Sequence, residues 1–359
     1  MFKTILKIGG VCLGLLLLAV IGLVLWLTIR EYRPDTAEAV SVDSRYLTQP
    51  AALAPGDSLK LVTMNTGYGG LDAGADFFMD GGKGVQPEKE QVLENLSQLR
   101  EQLASYDADV CFLQEVDQDS KRSAGYDQTL SYLSYLGQQD SYASAFALNY
   151  SCDFVPYPWP PIGKVHSGVQ TLSRFPMETA HRIALPCPFS WPVSTANLKR
   201  CLLVSHISLE GTDKQLVLVN LHLEAYDDGD GKAAQTQMLM NLLTTEYEKG
   251  NYVIAGGDFN QTFPGALEAF PVKDPTLWTP GTLEEEILPE HWRFACDLSV
   301  PTCRLLNQPY DAADSDTQLY VIDGFILSPN VKLERVETMD ESFAHTDHNP
   351  VVLEVTLDP

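Results

Sequence analysis

The sequence predicts a mixed α/β sandwich of about 300 residues behind one membrane-spanning helix, on three observations. Apolar, strand-like runs recur from Lys60 to Thr356, with only two strongly periodic helical segments among them. Several of these runs follow one another as adjacent strand pairs, which favours a mixed sandwich over a repeating parallel βαβ sheet. An uninterrupted apolar stretch, Ile8 to Thr28, stands apart at the amino end.

That stretch is long enough to cross the roughly 30 Å hydrocarbon layer as a helix, and longer than the apolar core of a signal peptide. Lys3 and Lys7 precede it, and Arg30, Glu31 and Arg33 follow. The expectation is an uncleaved anchor over residues 1–35, single-pass in the cell membrane, with the remainder outside the cytoplasm. Ala37 and Ala39 form a small-residue pair of the kind a signal peptidase cuts, but they lie well past the apolar run. Residues 36–57, rich in Ala, Asp, Ser and Pro without apolar periodicity, read as a linker, and 58–359 as the catalytic domain.

Within the domain, strands are expected at Lys60–Met64, Val110–Gln114, Val169–Ser173, Cys201–Ser208, Gln215–Leu221, Tyr252–Ala255, Tyr320–Leu327 and Val351–Thr356. Helices are expected over Pro87–Tyr106, with Val92, Leu93, Leu96, Leu99 and Leu103 on one face, and over Ala233–Lys249, with Met238, Leu239, Leu242 and Leu243. Twenty-four Lys and Arg stand against 48 Asp and Glu, a net charge of −24, which disfavours nucleic acid and anionic bilayers as non-specific partners. A phosphate substrate survives this argument, because a bound divalent cation reverses the local field. Cys111 and Cys201 sit in apolar runs as small core residues, and Cys296 and Cys303, which bracket a Pro-containing loop, could pair outside the cytoplasm. No cysteine spacing suits a zinc site.

Polar residues gather where the apolar runs end. Asn65 closes the first, Gln114-Glu115 the second, and Asn220-Leu221-His222 places an amide and an imidazole on one strand face. Tyr252-Val253-Ile254-Ala255 runs into Gly256-Gly257-Asp258-Phe259-Asn260, which presents a carboxylate and an amide side by side. Val321-Ile322-Asp323-Gly324 and Thr346-Asp347-His348-Asn349-Pro350 complete the series. Singly, each has an ordinary reading as a solvated strand end, a core histidine or a turn. Jointly they describe one polar rim that would be costly to bury without function.

In this order the residues resemble the endonuclease/exonuclease/phosphatase superfamily, to which deoxyribonuclease I belongs. The resemblance covers roughly residues 58 to 357 and includes Ser173-Arg174-Phe175-Pro176 after a Ser-Gly-Val strand. It implies a four-layered αββα sandwich with a cleft at one rim. It further implies Glu115 as main ligand for Mg²⁺, or alternatively Mn²⁺, with Asn65 and Asp347 beside it. Asp258 would activate water and Asn260 would hold phosphoryl oxygens. His222 and His348 would donate to charge developing in the transition state, with Asp323 orienting His348. Arg200 and Asn220 would contact the substrate phosphate. Two departures stand out: Val321-Ile322 replaces the family's Arg-x before the aspartate, and no acidic partner for His222 is evident.

The expected function is phosphoester hydrolysis at the outer membrane face by a monomer, with a lipid headgroup or small phosphoester favoured. A nuclease and an inactive binding module are the alternatives. Phe154-Val155-Pro156-Tyr157-Pro158-Trp159-Pro160-Pro161, with Phe189 and Trp191, reads either as a cover on the sandwich or as an aromatic wall for an apolar leaving group or the bilayer.

Overall fold

A computed structural model describes residues 2–227 and 229–359. Two seven-stranded sheets pack face to face. In the first, the strand order is Ala37–Val40, Thr179–Ala184, Cys201–Ser208, Gln215–His222, Tyr252–Asp258, Asp323–Leu327 and Arg293–Ala295. In the second it is Val331–Thr338, Val351–Leu357, Ser58–Asn65, Val110–Asp117, Gly163–Ser173, Tyr142–Val155 and Val42–Tyr46.

Alternation of side chains along these strands divides the core. Leu216, Leu218 and Ile254 of one sheet meet Leu61, Val110 and Phe112 of the other between the sheets. Val217, Val219, Val253 and Ala255 face the opposite way, onto Leu239, Met240 and Leu243 of the helix Asp230–Glu248. Val62, Met64, Cys111 and Leu113 do the same toward Leu96, Leu99 and Leu103 of the helix Lys89–Ser105 and Leu133 and Leu136 of the helix Gln128–Gln139. The result is the expected αββα layering.

Three expectations need correction. Residues 36–57 are not a free linker: Ala37–Val40 pairs with Thr179–Ala184, and Val42–Tyr46 pairs with Tyr142–Val155, so the segment supplies an edge strand to each sheet. The expected strand Tyr320–Leu327 is two strands. Leu319–Tyr320 pairs with Cys303–Arg304, while Asp323–Leu327 pairs with Tyr252–Asp258. Cys296 and Cys303 are both free thiols, and Cys303 lies buried against the Arg304 carbonyl. The apolar amino-terminal run is a 29-residue helix, Phe2–Arg30, long and apolar enough to cross a membrane.

Candidate active site

Strand register brings the polar ends together. Asp258 stands opposite His222 on its parallel neighbour and opposite Asp323 on its antiparallel one. Asn65 stands opposite Gln114 in the second sheet. Across the gap, Asn65 Nδ2 donates to Asp258 Oδ2 at 3.1 Å, so the two strand-end clusters share one rim.

Two local backbone features make this approach feasible. A Cβ on Gly257 would lie 1.9 Å from the Leu221 carbonyl oxygen, and one on Gly256 would lie 2.3 Å from the Phe325 ring, so neither position accepts a side chain. Glu115 has φ +54°, inside a register shift between Leu113 and Val116. Regular alternation would send Glu115 to the helix-facing side with Cys111 and Leu113. The bulge takes up one residue, so that Val116 packs with the helices and Glu115 turns into the cleft.

Asp258 is the hub. Its Oδ1 accepts from the Asn260 backbone N–H at 2.8 Å. Its Oδ2 has the Asn65 amide at 3.1 Å, His222 Nε2 at 3.4 Å and His348 Nε2 at 3.8 Å. Burial and the neighbouring Asp323 push its pKa well above the ordinary carboxylate range, against the pull of His348.

The two imidazoles are set apart electrically. Burial opposes charge on His348, but Asp323, whose Oδ2 is 2.8 Å from Nδ1, overrides it together with Cys303 and Asp347, and the pKa rises well above normal. His222 is lowered well below normal by burial, Arg200, His348 and Arg122. The surroundings thus favour charge on His348 and oppose it on His222. His222 Nδ1 is buried with no hydrogen-bond partner among the described residues, in line with the sequence, where no acidic partner for it is evident.

Not every expected residue reaches the cleft in the expected way. Asn220 is fully buried one side-chain layer below His222: its Oδ1 accepts from Gln114 Nε2 at 2.8 Å, and its Nδ2 donates to the Gln170 carbonyl at 2.8 Å. Its amide joins the two sheets beneath the cleft. Arg200 is also buried, with Nε on Glu224 at 3.2 Å and Nη1 on the His222 carbonyl at 3.2 Å, which ties it to the His222 backbone. Asn260 Nδ2 donates to the Leu223 carbonyl at 2.9 Å. Asn65 adjoins Glu115 as a donor, Nδ2 to Oε1 at 3.2 Å, while its Oδ1 accepts from the Gly67 N–H. As placed, its amide N–H group joins Glu115 to Asp258.

Other residues of the rim were not legible in the sequence. Arg122 clamps Asp117 through Nε and Nη2 at 3.1 and 3.0 Å and lies 3.8 Å over the Tyr68 ring, with the charge of Glu115 acting on it. Asp80 accepts from the Tyr226 hydroxyl at 3.2 Å. Both sit in single 3-10 turns, Phe78–Asp80 and Lys121–Ser123, too short for any period to mark them. The sharpest available signal was the Asp117–Arg122 charge pair directly after the Glu115 strand.

The acidic side of the cleft suits a hard divalent cation. Asp347 is pushed up to about 6 by burial, with Glu115 adding to the rise and His348 and Arg304 opposing it. Asp80 is likewise pushed up to about 6 by burial and by the charge of Asp347. Carboxylates that raise one another in this way are what a cation relieves. Space is kept there: a Cβ on Gly67, at φ +49°, would sit 3.1 Å from Asp347 Oδ1 and 3.0 Å from Thr346 Oγ1. Asp258, Asp323 and His348 also gather ligand-type atoms within 4.8 Å, but Asp323 and His348 are already hydrogen-bonded to each other. Glu115 and Asp347 are oxygen donors of the kind that hard divalent cations take.

Comparison with known proteins bears on this geometry. The model of the Endonuclease/Exonuclease/phosphatase family matches residues 63–348. A search of curated proteins finds no match. Among solved structures, an endonuclease/exonuclease/phosphatase from Beutenbergia cavernae DSM 12333 superposes with a TM-score of 0.58 at 16% identity, covering 84% of this chain and 72% of its own. A family protein from Leptotrichia buccalis C-1013-b gives 0.55 at 15% identity, covering 83% of this chain and all of its own. ANGEL2, a 2′,3′-cyclic phosphatase, gives 0.53 at 14% identity over 90% of this chain and 99% of its own. At these identities the structures speak to the fold, and the family match to the chemistry. The chain belongs to the endonuclease/exonuclease/phosphatase family and is a phosphoric ester hydrolase.

Proposed function

We propose that the chain is a divalent-metal-dependent phosphohydrolase that cleaves a phosphodiester or phosphomonoester by attack of an activated water at the outer membrane face, on a lipid headgroup or small phosphoester. The convergence on Asp258 Oδ2 carries this reading: an amide and two imidazoles approach one carboxylate oxygen whose pKa is raised toward the working range of a general base. Asp258 takes the proton of the attacking water. Charged His348, held by Asp323, donates to the phosphoryl oxygens as negative charge builds, and Asn260 and neutral His222 flank them. Glu115 and Asp347 would hold Mg²⁺ or Mn²⁺, which supplies Lewis-acid charge at the phosphate when bound. Arg122, on which the charge of Glu115 acts, and Arg304, on which Asp347 and Asp80 act, are cations at this acidic edge, and the overall charge of −24 makes a nuclease the second reading.

The test is hydrolysis by the purified full chain of bis-p-nitrophenyl phosphate, DNA, sphingomyelin and inositol phosphates. Activity is expected with Mg²⁺, to be lost on EDTA treatment and restored by Mg²⁺ or Mn²⁺. Asp258→Ala is expected to slow it by roughly 10²–10⁴-fold. Equal inactivity of wild type and Asp258→Ala on the whole panel would remove the enzymatic reading.

A further inference from the structure

The apolar helix does not leave the domain at an arbitrary place. Leu27 is buried among Cys152, Val155 and Val165, with Leu23, Ile162 and Ala196 around them. Thr28 Oγ1 accepts from Trp191 Nε1 at 3.0 Å, Arg30 Nε donates to Asp153 at 2.6 Å, and Glu31 pairs with Lys199 at 3.0 Å. Two loops receive it, 155–163 and 185–199.

Register places both loops at the catalytic end of the sandwich. Asp117, just beyond Glu115, stands opposite Ser167, and the hairpin then continues past that rim through Ser151↔His166 and Val155↔Gly163. In the other sheet, Leu221 stands opposite Leu202, and Cys201 opposite Ala184, so the chain from Leu185 to Arg200 emerges beside His222. The anchor therefore docks at the end that carries Asn65, Glu115, His222 and Asp258.

Depth follows from helix rise. The apolar run ends at Thr28, and the domain already touches Leu23, roughly 7 Å further along the axis. That distance is about the thickness of the interfacial layer on one side of a bilayer. The two loops around the anchor carry largely exposed side chains: Tyr157 70% exposed, Trp159 90%, Trp191 61% and Val193 58%. Tryptophan and tyrosine with an apolar body and a polar tip are the residues suited to that layer. The patch also borders the cleft. Tyr157 packs on Phe78 at 5.6 Å, and Gln86 Nε2 donates to the carbonyls of Pro161 and Ile162, tying the hairpin tip to the segment that carries Asp80.

We infer that Tyr157, Trp159, Trp191 and Val193 form a second membrane contact, seated in the lipid interface beside the anchor, so that the catalytic cleft opens onto the bilayer and takes a phosphoester presented by the lipid surface. The inference rests on the reading of Phe2–Arg30 as a membrane anchor. With a net charge of −24, the contact is apolar and interfacial and needs no anionic lipid.

The test uses the full chain in phosphatidylcholine vesicles whose acyl chains are brominated near the headgroup, with Trp26→Phe removing the reporter inside the anchor. Flotation first asks whether the chain is membrane-bound. Tryptophan emission is expected to be blue-shifted and quenched relative to unbrominated vesicles, and the quenchable part is expected to vanish when Trp159→Phe and Trp191→Phe are added. Residual emission from Trp278 and Trp292 should be unaffected by bromine. A chain that floats yet shows no quenching, or the same quenching without Trp159 and Trp191, overturns the interfacial contact and leaves the anchor standing. A chain that does not float overturns both.

Discussion

At the residue scale, function hinges on side chains placed by exceptions to regular geometry. Glu115 faces the cleft because a bulge inverts the alternation that would otherwise send it to the helices. Gly67 keeps φ +49° and leaves room beside Asp347 and Thr346. Gly67→Ala adds a methyl 3.1 Å from Asp347 Oδ1, in a conformation that costs an alanine about 1 kcal/mol. The expected result is a Mg²⁺ requirement raised by roughly tenfold, read as the concentration for half-maximal activity, with the melting temperature only slightly lowered. An unchanged Mg²⁺ titration would dissociate Asp347 from the metal. The motif residues Asp258, Asp323 and His348 were legible in the sequence because each closes or adjoins an apolar run. Arg200 and Asn220 carry hydrogen bonds within the protein that their spacing in the sequence does not reveal.

At the element scale, the strongly periodic segments were legible and the rest were not. The helices Lys89–Ser105 and Asp230–Glu248 lie where the apolar spacing places them. The helix Gln128–Gln139 escaped because serines and glutamines dilute its stripe of Tyr132, Leu133 and Leu136. The long strand Tyr142–Val155 escaped because alanines 143, 145 and 147 fill its core face, giving little hydrophobic contrast. The end of the helix Asp230–Glu248 carries its own electrostatic test. Glu246 lies 3.7 Å from His206 Nε2 and accepts from Lys249 Nζ at 2.7 Å and Asn251 Nδ2 at 3.0 Å. Its pKa is lowered to about 2, chiefly by the close approach of His206 and then, against burial, by Lys249 and Asn251. A lowered folded-state value means a stabilisation fully present above the ordinary value of 4.5 and lost as pH falls through about 2. Glu246→Gln should therefore lower stability at pH 7 by about 1 kcal/mol in urea unfolding, the gap closing toward pH 2. A gap that stays constant down to pH 2 would show that the carboxylate charge is not its source.

At the scale of the whole molecule, the segment after the anchor binds both sheets. A chain beginning at residue 36 retains the edge strands Ala37–Val40 and Val42–Tyr46, whereas one beginning at residue 48 loses both. The first is expected to melt within a few degrees of the full chain. The second is expected to melt several degrees lower and to aggregate, since it bares the backbone of Thr179–Ala184 and Tyr142–Val155. Equal melting of the two would return 36–57 to the status of a tether.

The sequence by itself determined a mixed α/β sandwich, the order of polar stations and the acidic, histidine-bearing character of the site. These follow from alternation, helical period and motif order, which are properties of neighbouring residues. Only the tertiary structure decided which side chains meet across the gap: Asn65 with Asp258, Gln114 with Asn220, and the anchor with the catalytic end. Those contacts join residues more than a hundred positions apart. They depend on register, on one bulge and on how two sheets stack, none of which leaves a local trace.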